Sequence, residues 1–241
     1  YILIFLYIYI FKRIMKLFVN KSSNFKTISD ALMNASNNDE IYVSTGHYKE
    51  KLIINKEIKI IGVGTVLIYY DCDIMDHVIS IKEKCVLENL KIQSHHSNII
   101  YVYNCMDVSI NNCRLISQTQ NCINIFDSGF FSITNCIIEA YKVGINYNNI
   151  FNVFNHSGTV KNCHIFSHEN SIKLVNNSKI TILNSVLKSH LKCIILFENT
   201  FLTIKECTIH TPNENYILFK KNTNPKYNLI SEDIYFILLQ K

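Results

Sequence analysis

The chain has no Trp, only 6 Gly and 2 Pro in 241 residues, and only two Arg, Arg13 and Arg114. So little Gly and Pro excludes a collagen-like rod and a Pro-rich linker. The shortage of Arg, with 22 Lys scattered along the chain, argues against a nucleic-acid partner even at a net charge of +5. Nucleic-acid binders gather basic residues on one face and read bases with bidentate Arg. No C-x-x-C occurs among the 9 Cys, so metal and redox motifs of that kind are missing. A chain this long needs no disulfides, which makes reduced, buried Cys and a cytoplasmic location the expectation. A secreted location is the alternative. The sequons at Asn20, Asn34, Asn155 and Asn176 would matter there, but 30 Asn produce that many by chance.

Long apolar runs are also scarce. The strongest, Tyr1 to Phe11, falls short of the roughly 20 residues a bilayer span needs, so no membrane span is expected. Lys12-Arg13 follows that run, whereas a signal peptide places its basic residues first. A truncated anchor is the other reading of it. The first residue is not Met, so upstream sequence is missing or the true start is Met15. Residues 1–24 are read as an N-terminal tail and 25–241 as one domain.

What the chain does have is 40 Ile and 30 Asn, a bias of the kind AT-rich genomes produce. Position is more telling than number. Six segments align without gaps: CVLENLKIQSH from Cys85, VSINNCRLISQ from Val108, FSITNCIIEAY from Phe131, GTVKNCHIFSH from Gly158, ITILNSVLKSH from Ile180 and LTIKECTIHTP from Leu202. Their starts lie 23, 23, 27, 22 and 22 residues apart, a period that signals a repeat architecture.

The alignment produces columns. Leu87, Ile110, Ile133, Val160, Ile182 and Ile204 form one apolar column, and Ile92, Leu115, Ile138, Ile165, Leu187 and Ile209 another. Between them lie Leu90, Cys113, Cys136, Cys163, Ser185 and Cys207, preceded by Asn89, Asn112, Asn135, Asn162, Asn184 and Glu206. A further strand fills each gap, as in NIIYVYN, CINIFD and VGINYN, and the set repeatedly closes on Asn104, Asp127, Asn149, Asn176 and Asn199. Each circuit therefore reads as strand, turn, strand, turn. Stacked in parallel, like residues fall about 4.8 Å apart, which turns the apolar columns into ladders inside the coil. Asn suits the corners because it tolerates the left-handed region, and stacked amides can bond along a ladder. A leucine-rich solenoid is excluded, since no LxxLxLxxN pattern occurs. The fold class expected is all-β: a right-handed parallel β-helix of about seven coils with a short N-terminal capping α-helix. Thr27 and Asp30 form the capping box, and Phe25, Ile28, Ala31, Leu32 and Ala35 the helical spacing.

The segment FKTISDALMNASNNDEIYVSTGHYKEKLIINKEIKIIGVG, with G-x-Y-x-E at Gly46, Tyr48 and Glu50, resembles the opening of the pectin-lyase-like superfamily of right-handed β-helices. The later repeats resemble those of carbohydrate-binding proteins and sugar hydrolases, and those of F-box and SH2-adaptor-binding proteins. The resemblance spans roughly residues 25 to 222, and this superfold carries enzymes and non-enzymes alike. It implies tests. Polygalacturonase-like members need a paired Asp-Asp with G-H-G, which is absent. Pectin-esterase-like members need two Asp and an Arg on the central coils, and Asp127-Ser128-Gly129-Phe130 does not fit their motif. Pectate-lyase-like members need clustered acids for calcium and an Arg base. The acids cluster at Asp71, Asp73 and Asp76, more than one coil from Arg114.

No catalytic residue and no cofactor is expected. Two metal-binding alternatives stand beside blander readings. Asp71, Asp73 and Asp76 could offer oxygen ligands to calcium, or form a loop of solvated acids. His168 and His190 share a column with His95, Gln118 and Tyr141, and could share zinc with His164 or Glu169, or form a wet surface row. Tyr103, Phe126, Tyr147, Phe197 and Phe219 are an aromatic set for sugar rings, core or a protein face, depending on register. The leading functional expectation is a non-catalytic scaffold presenting a flat face to a protein. The alternative is a carbohydrate-binding or carbohydrate-active protein, pectin lyase- or esterase-like, with polysaccharide as its partner.

Overall fold

The computed structural model describes residues 14–71, 76–150, 157–197, 199–212, 217–219, 228–232 and 235–238, with the backbone alone at 219 and from 228 onward. Asp73 and the opening run Tyr1 to Phe11 lie outside the described residues. All strand pairs are parallel and in two sheets, one of 17 strands and one of 8. The eight-stranded sheet counts the coils of a right-handed β-helix: eight, against about seven expected.

From the third coil (Cys85–Glu88, Lys91–Ser94 and Asn98–Tyr103) onward each coil carries three strands where two were expected, while the first two coils carry one long strand and one short one. A representative coil runs Asp107–Asn111, Arg114–Ser117 and Ile123–Phe126. The 11-residue motif divides because its Asn column is left-handed: Asn89, Asn112, Asn135, Asn162, Asn184 and Glu206 have φ between 46° and 58°. Strand geometry cannot continue through that region, and for most L-residues it is disfavoured, so the chain corners there. Three ribbons result. The first and second belong to the large sheet, and the third is the eight-stranded one. Gly62 lies where the Asn89 carbonyl passes: a Cβ there would stand 2.1 Å from that oxygen.

The aligned columns stack residue on residue. Leu87 pairs with Ile110, then Ile133, Val160, Ile182 and Ile204; Ile92 pairs with Leu115, Ile138, Ile165, Leu187 and Ile209. All twelve are buried. The Cys/Ser column is buried as well, and its side chains also hydrogen-bond. Cys113, Cys136, Cys163 and Cys207 donate Sγ–H, and Ser185 Oγ–H, to the carbonyl two residues earlier, across the corner. A small inward side chain with a donor thus suits the position after a left-handed residue.

The corner amides do not form one continuous ladder. Asn112 Nδ2 donates to Asn89 Oδ1 (2.7 Å) and Asn162 Nδ2 to Asn135 Oδ1 (3.1 Å), but Asn135 Nδ2 turns to Asn111 Oδ1 (3.0 Å) on the neighbouring position. Backbone conformation, shared by all six, is the constant feature.

The N-terminal end is closed by helix α1 (Ile28–Asn34), which buries Ile28, Ala31 and Leu32. Thr27 Oγ1 accepts the Asp30 N–H at 3.0 Å. The Glu50 carboxylate accepts the N–H groups of Ile28 and Ser29, and Lys56 Nζ donates to the carbonyls of Leu32, Met33 and Ala35. Both helix ends are therefore satisfied from the first coils. Lys16–Val19, expected in the tail, pairs in register with Glu40–Val43, so coil geometry begins ahead of residue 25. Among the described residues no helix is long and apolar enough to cross a membrane.

Candidate functional site

Side chains alternate along every strand, so each ribbon turns one set inward and one outward. On the third ribbon the inward set is Val102, Ile125, Tyr147 and Leu174, paired in register and buried. The outward set includes Ser80, Tyr101, Asn124, Asn146 and Lys173, and a second outward column holds Tyr103, Phe126 and Asn148. Of these, Ser80, Tyr101, Asn124, Asn146 and Phe126 line a groove of about 590 Å³ with His77 and residues of the preceding turns, and Tyr103 and Lys173 stand next to it in register.

The groove has an aromatic part and an amide part. The His77 ring lies 4.5 Å from that of Tyr101, tilted by 31°, and the Tyr101 centroid lies 6.1 Å from Tyr103 and 5.7 Å from Phe126. Beside them Asn121 Nδ2 donates to Asn124 Oδ1 (3.0 Å), and Asn146 Nδ2 donates to the same oxygen (3.1 Å). Asn124 Nδ2 meets His77 Nε2 at 3.3 Å. Lys142 reaches into the groove and donates to Gln120 Oε1 at 2.8 Å. Lys173 Nζ stands 5.5 Å over the Phe197 ring.

Burial pushes the His77 imidazole down to about 4, against a smaller upward pull from Asp76. It is therefore neutral at physiological pH and available as a hydrogen-bond acceptor. Asp76 is the one carboxylate among the described groove residues. Partial burial would raise it, but its hydrogen bonds from Lys51 and the His77 N–H outweigh that and hold it below the ordinary range. The two Asp and the Arg of an esterase-like centre are not assembled there among the described residues.

The aromatic set read from the sequence divides. Tyr103 and Phe126 face outward and Phe197 is half-buried, whereas Tyr147 is fully buried, edge-on to Phe131 at 5.0 Å. Phe219 pairs in register with Leu196. The groove residues His77, Tyr101, Asn124 and Asn146 were not singled out by the sequence. The signal for Tyr101, Asn124 and Asn146 was the strand column Ser80, Tyr101, Asn124, Asn146, next to that of the chosen aromatics, whereas His77 pairs with Asn98 outside it.

Among the described residues no group of three or more His, Cys, Asp or Glu is placed to hold a metal ion. Asp71 accepts Ser94 Oγ–H and the His95 N–H, fixing a turn, while Asp76 is paired with Lys51. His168 and His190 do lie on adjacent coils, centroids 5.5 Å apart, but they continue a ring stack from Tyr141 (4.8 Å to His168) along the edge of a second groove. Arg114, the lyase-type base candidate, is ion-paired with Glu139 at 2.8 Å.

A family model described as a right-handed beta helix region matches residues 77–230, more than half of the chain. The chain belongs to that family. No curated protein sequence matches it significantly. Among solved structures this right-handed β-helix is similar to the pectin methylesterase of Aspergillus niger, at 14% identity and a TM-score of 0.69 over 93% of this chain and 90% of that one. It is also similar to the pectin methylesterase of Erwinia chrysanthemi (14%, TM-score 0.66, 92% and 89%) and to that of carrot (13%, TM-score 0.66, 94% and 88%). At such identities the likeness shows the fold. It also corrects the leading functional expectation. A non-catalytic, flat-faced protein scaffold is not what this β-helix is similar to: these neighbours are pectin esterases, and the third ribbon carries a groove.

Proposed function

We propose that this β-helix is a carbohydrate-active protein of the pectin esterase-like kind, which takes a polysaccharide into the groove of the third ribbon. The observation that carries the reading is the groove itself, where Tyr101, Tyr103 and Phe126 adjoin the amides of Asn121, Asn124 and Asn146. Sugar sites need apolar faces for the ring and a few fixed donors and acceptors for its hydroxyls, and this groove supplies both. Lys142 and Lys173 add positive charge suited to acidic sugars. The fold neighbours support the same substrate class. A polysaccharide partner also suits the secreted alternative better than the cytoplasmic one.

Recognition is what the described residues do most directly. A general base works best with a pKa near the operating pH, and His77 at about 4 is well below it. Its role in the groove is to accept a hydrogen bond and to present a ring. The test is a glycan array of plant and microbial polysaccharides, run with an assay for methanol release from methyl-esterified pectin. Binding to pectic chains that Tyr101→Ala weakens at least tenfold is expected. Neither binding nor turnover on any polysaccharide would refute the reading.

A further inference from the structure

We propose that Asn146 Oδ1 is the atom that selects a hydroxyl donor of the bound sugar, with its orientation set by the backbone N–H of Val143. This rests on the polysaccharide reading above and specifies how that groove discriminates. The Val143 N–H can only donate, and it donates to Asn121 at 3.0 Å, so the Asn121 oxygen faces Val143. Its Nδ2 must then face Asn124, and the atom it meets at 3.0 Å must be an acceptor, Asn124 Oδ1. Asn146 donates to that same oxygen at 3.1 Å, which turns its own oxygen away from the chain.

At the other end, Asn124 is left with Nδ2 toward His77 Nε2 at 3.3 Å. That nitrogen has to carry a lone pair, so His77 is the tautomer protonated on Nδ1. Asn121 is itself anchored, its N–H donating to Asn98 Oδ1 at 3.2 Å. One backbone donor thus orients three side chains and one imidazole.

The chain ends on Asn146 Oδ1, which is buried and is the one buried side-chain N or O atom without a hydrogen-bond partner among the described residues. An acceptor left in that state is unfavourable until a donor reaches it. The next position on the following coil is Lys173, whose ammonium is drawn over Phe197. Lys142 and Lys173 are long and rotatable, and can give way to an incoming group. In a polysaccharide the donor is a hydroxyl, and a sugar with a methyl ether or no oxygen at that point is rejected.

Two measurements on the full chain test this. In the ligand-free protein, ¹⁵N NMR should report His77 protonated on Nδ1 at pH 7; protonation on Nε2 would overturn the orientation argument whatever the groove binds. In calorimetric titrations with methyl-esterified hexagalacturonate, Asn146→Ala should weaken binding about tenfold or more, and Asn148→Ala, in the adjoining column, less than twofold. Equal affinity of Asn146→Ala and the native protein overturns this inference and leaves the polysaccharide reading standing. A native protein that binds no oligosaccharide overturns both.

Discussion

Replacing Asn135 separates the two things a corner Asn contributes, its backbone conformation and its amide. Asn135 has φ 55°, donates through Nδ2 to Asn111 Oδ1 and accepts from Asn162 Nδ2. Its N–H bond to the Lys161 carbonyl belongs to the backbone and survives any of these substitutions. Ala at this φ loses the tolerance of Asn for the left-handed region, about 1 kcal/mol. It also loses two exposed amide bonds, about 0.5 kcal/mol each at the weak end of the usual range. The expected destabilisation of Asn135→Ala is therefore about 2 kcal/mol. Gly loses the same amide bonds, but takes the left-handed conformation freely while adding entropy to the unfolded chain. Asn135→Gly should cost about 1 kcal/mol.

For a chain of this size, 1 kcal/mol lowers Tm by roughly 2–4 °C, so Ala should melt about 4–8 °C lower and Gly about half as far. The assay is thermal unfolding followed by far-UV circular dichroism at pH 7. Asn148→Leu provides the contrast: Asn148 accepts from Asn176 but sits in a strand without positive φ, so it should cost less than Asn135→Leu. A Tm lowered as far by Gly as by Ala would show that the left-handed conformation is not what Asn supplies at this corner.

Glu206 occupies the same corner column at φ 53° without being Asn, so Glu206→Asn should stabilise that corner by about 0.5–1 kcal/mol, seen as a higher Tm. His77 gives a pH dependence whose sign is determined. Its folded pKa of about 4 lies below the free value of 6.5, so between those pH values the unfolded chain takes up a proton that the folded one does not. Its stabilising contribution is full above about pH 6.5 and is lost as pH falls toward 4, by about 1–2 kcal/mol once partial exposure is allowed for. Melting curves from pH 7 to 4.5 should fall more steeply for the native protein than for His77→Gln, and parallel curves would refute the assignment. The eight described Cys are buried and unpaired, and burial raises several thiols, with Cys193 pushed up to about 12. They should resist a thiol reagent at pH 8 until denaturant is added, and rapid labelling of the native protein would contradict their placement.

The fold was legible because in-register parallel stacking gives each column a single environment. Ile110, Ile133 and Val160 answer to the same packing demand, so they vary together and the repeat shows through. The division of the motif into two strands was not legible as such, since no residue type encodes a left-handed φ by itself. Glu206 adopts it as Asn135 does, while Asn124 and Asn146 do not. The groove was hidden for the same reason. With 30 Asn in the chain, a corner Asn and a groove Asn look alike, and only backbone conformation and facing distinguish them. Tyr147 shows how narrow the margin is. Counted from the buried Ile of each strand, the outward partner of Tyr103 and Phe126 is Asn148, and the ring one residue earlier belongs to the core. Inward positions must repeat for the coil to close, whereas outward positions are free of that constraint. Tyr101, Asn124 and Asn146 share a column but not a residue type, and His77 joins them from another column, so the part of a β-helix that can bear function is the part its periodicity says least about.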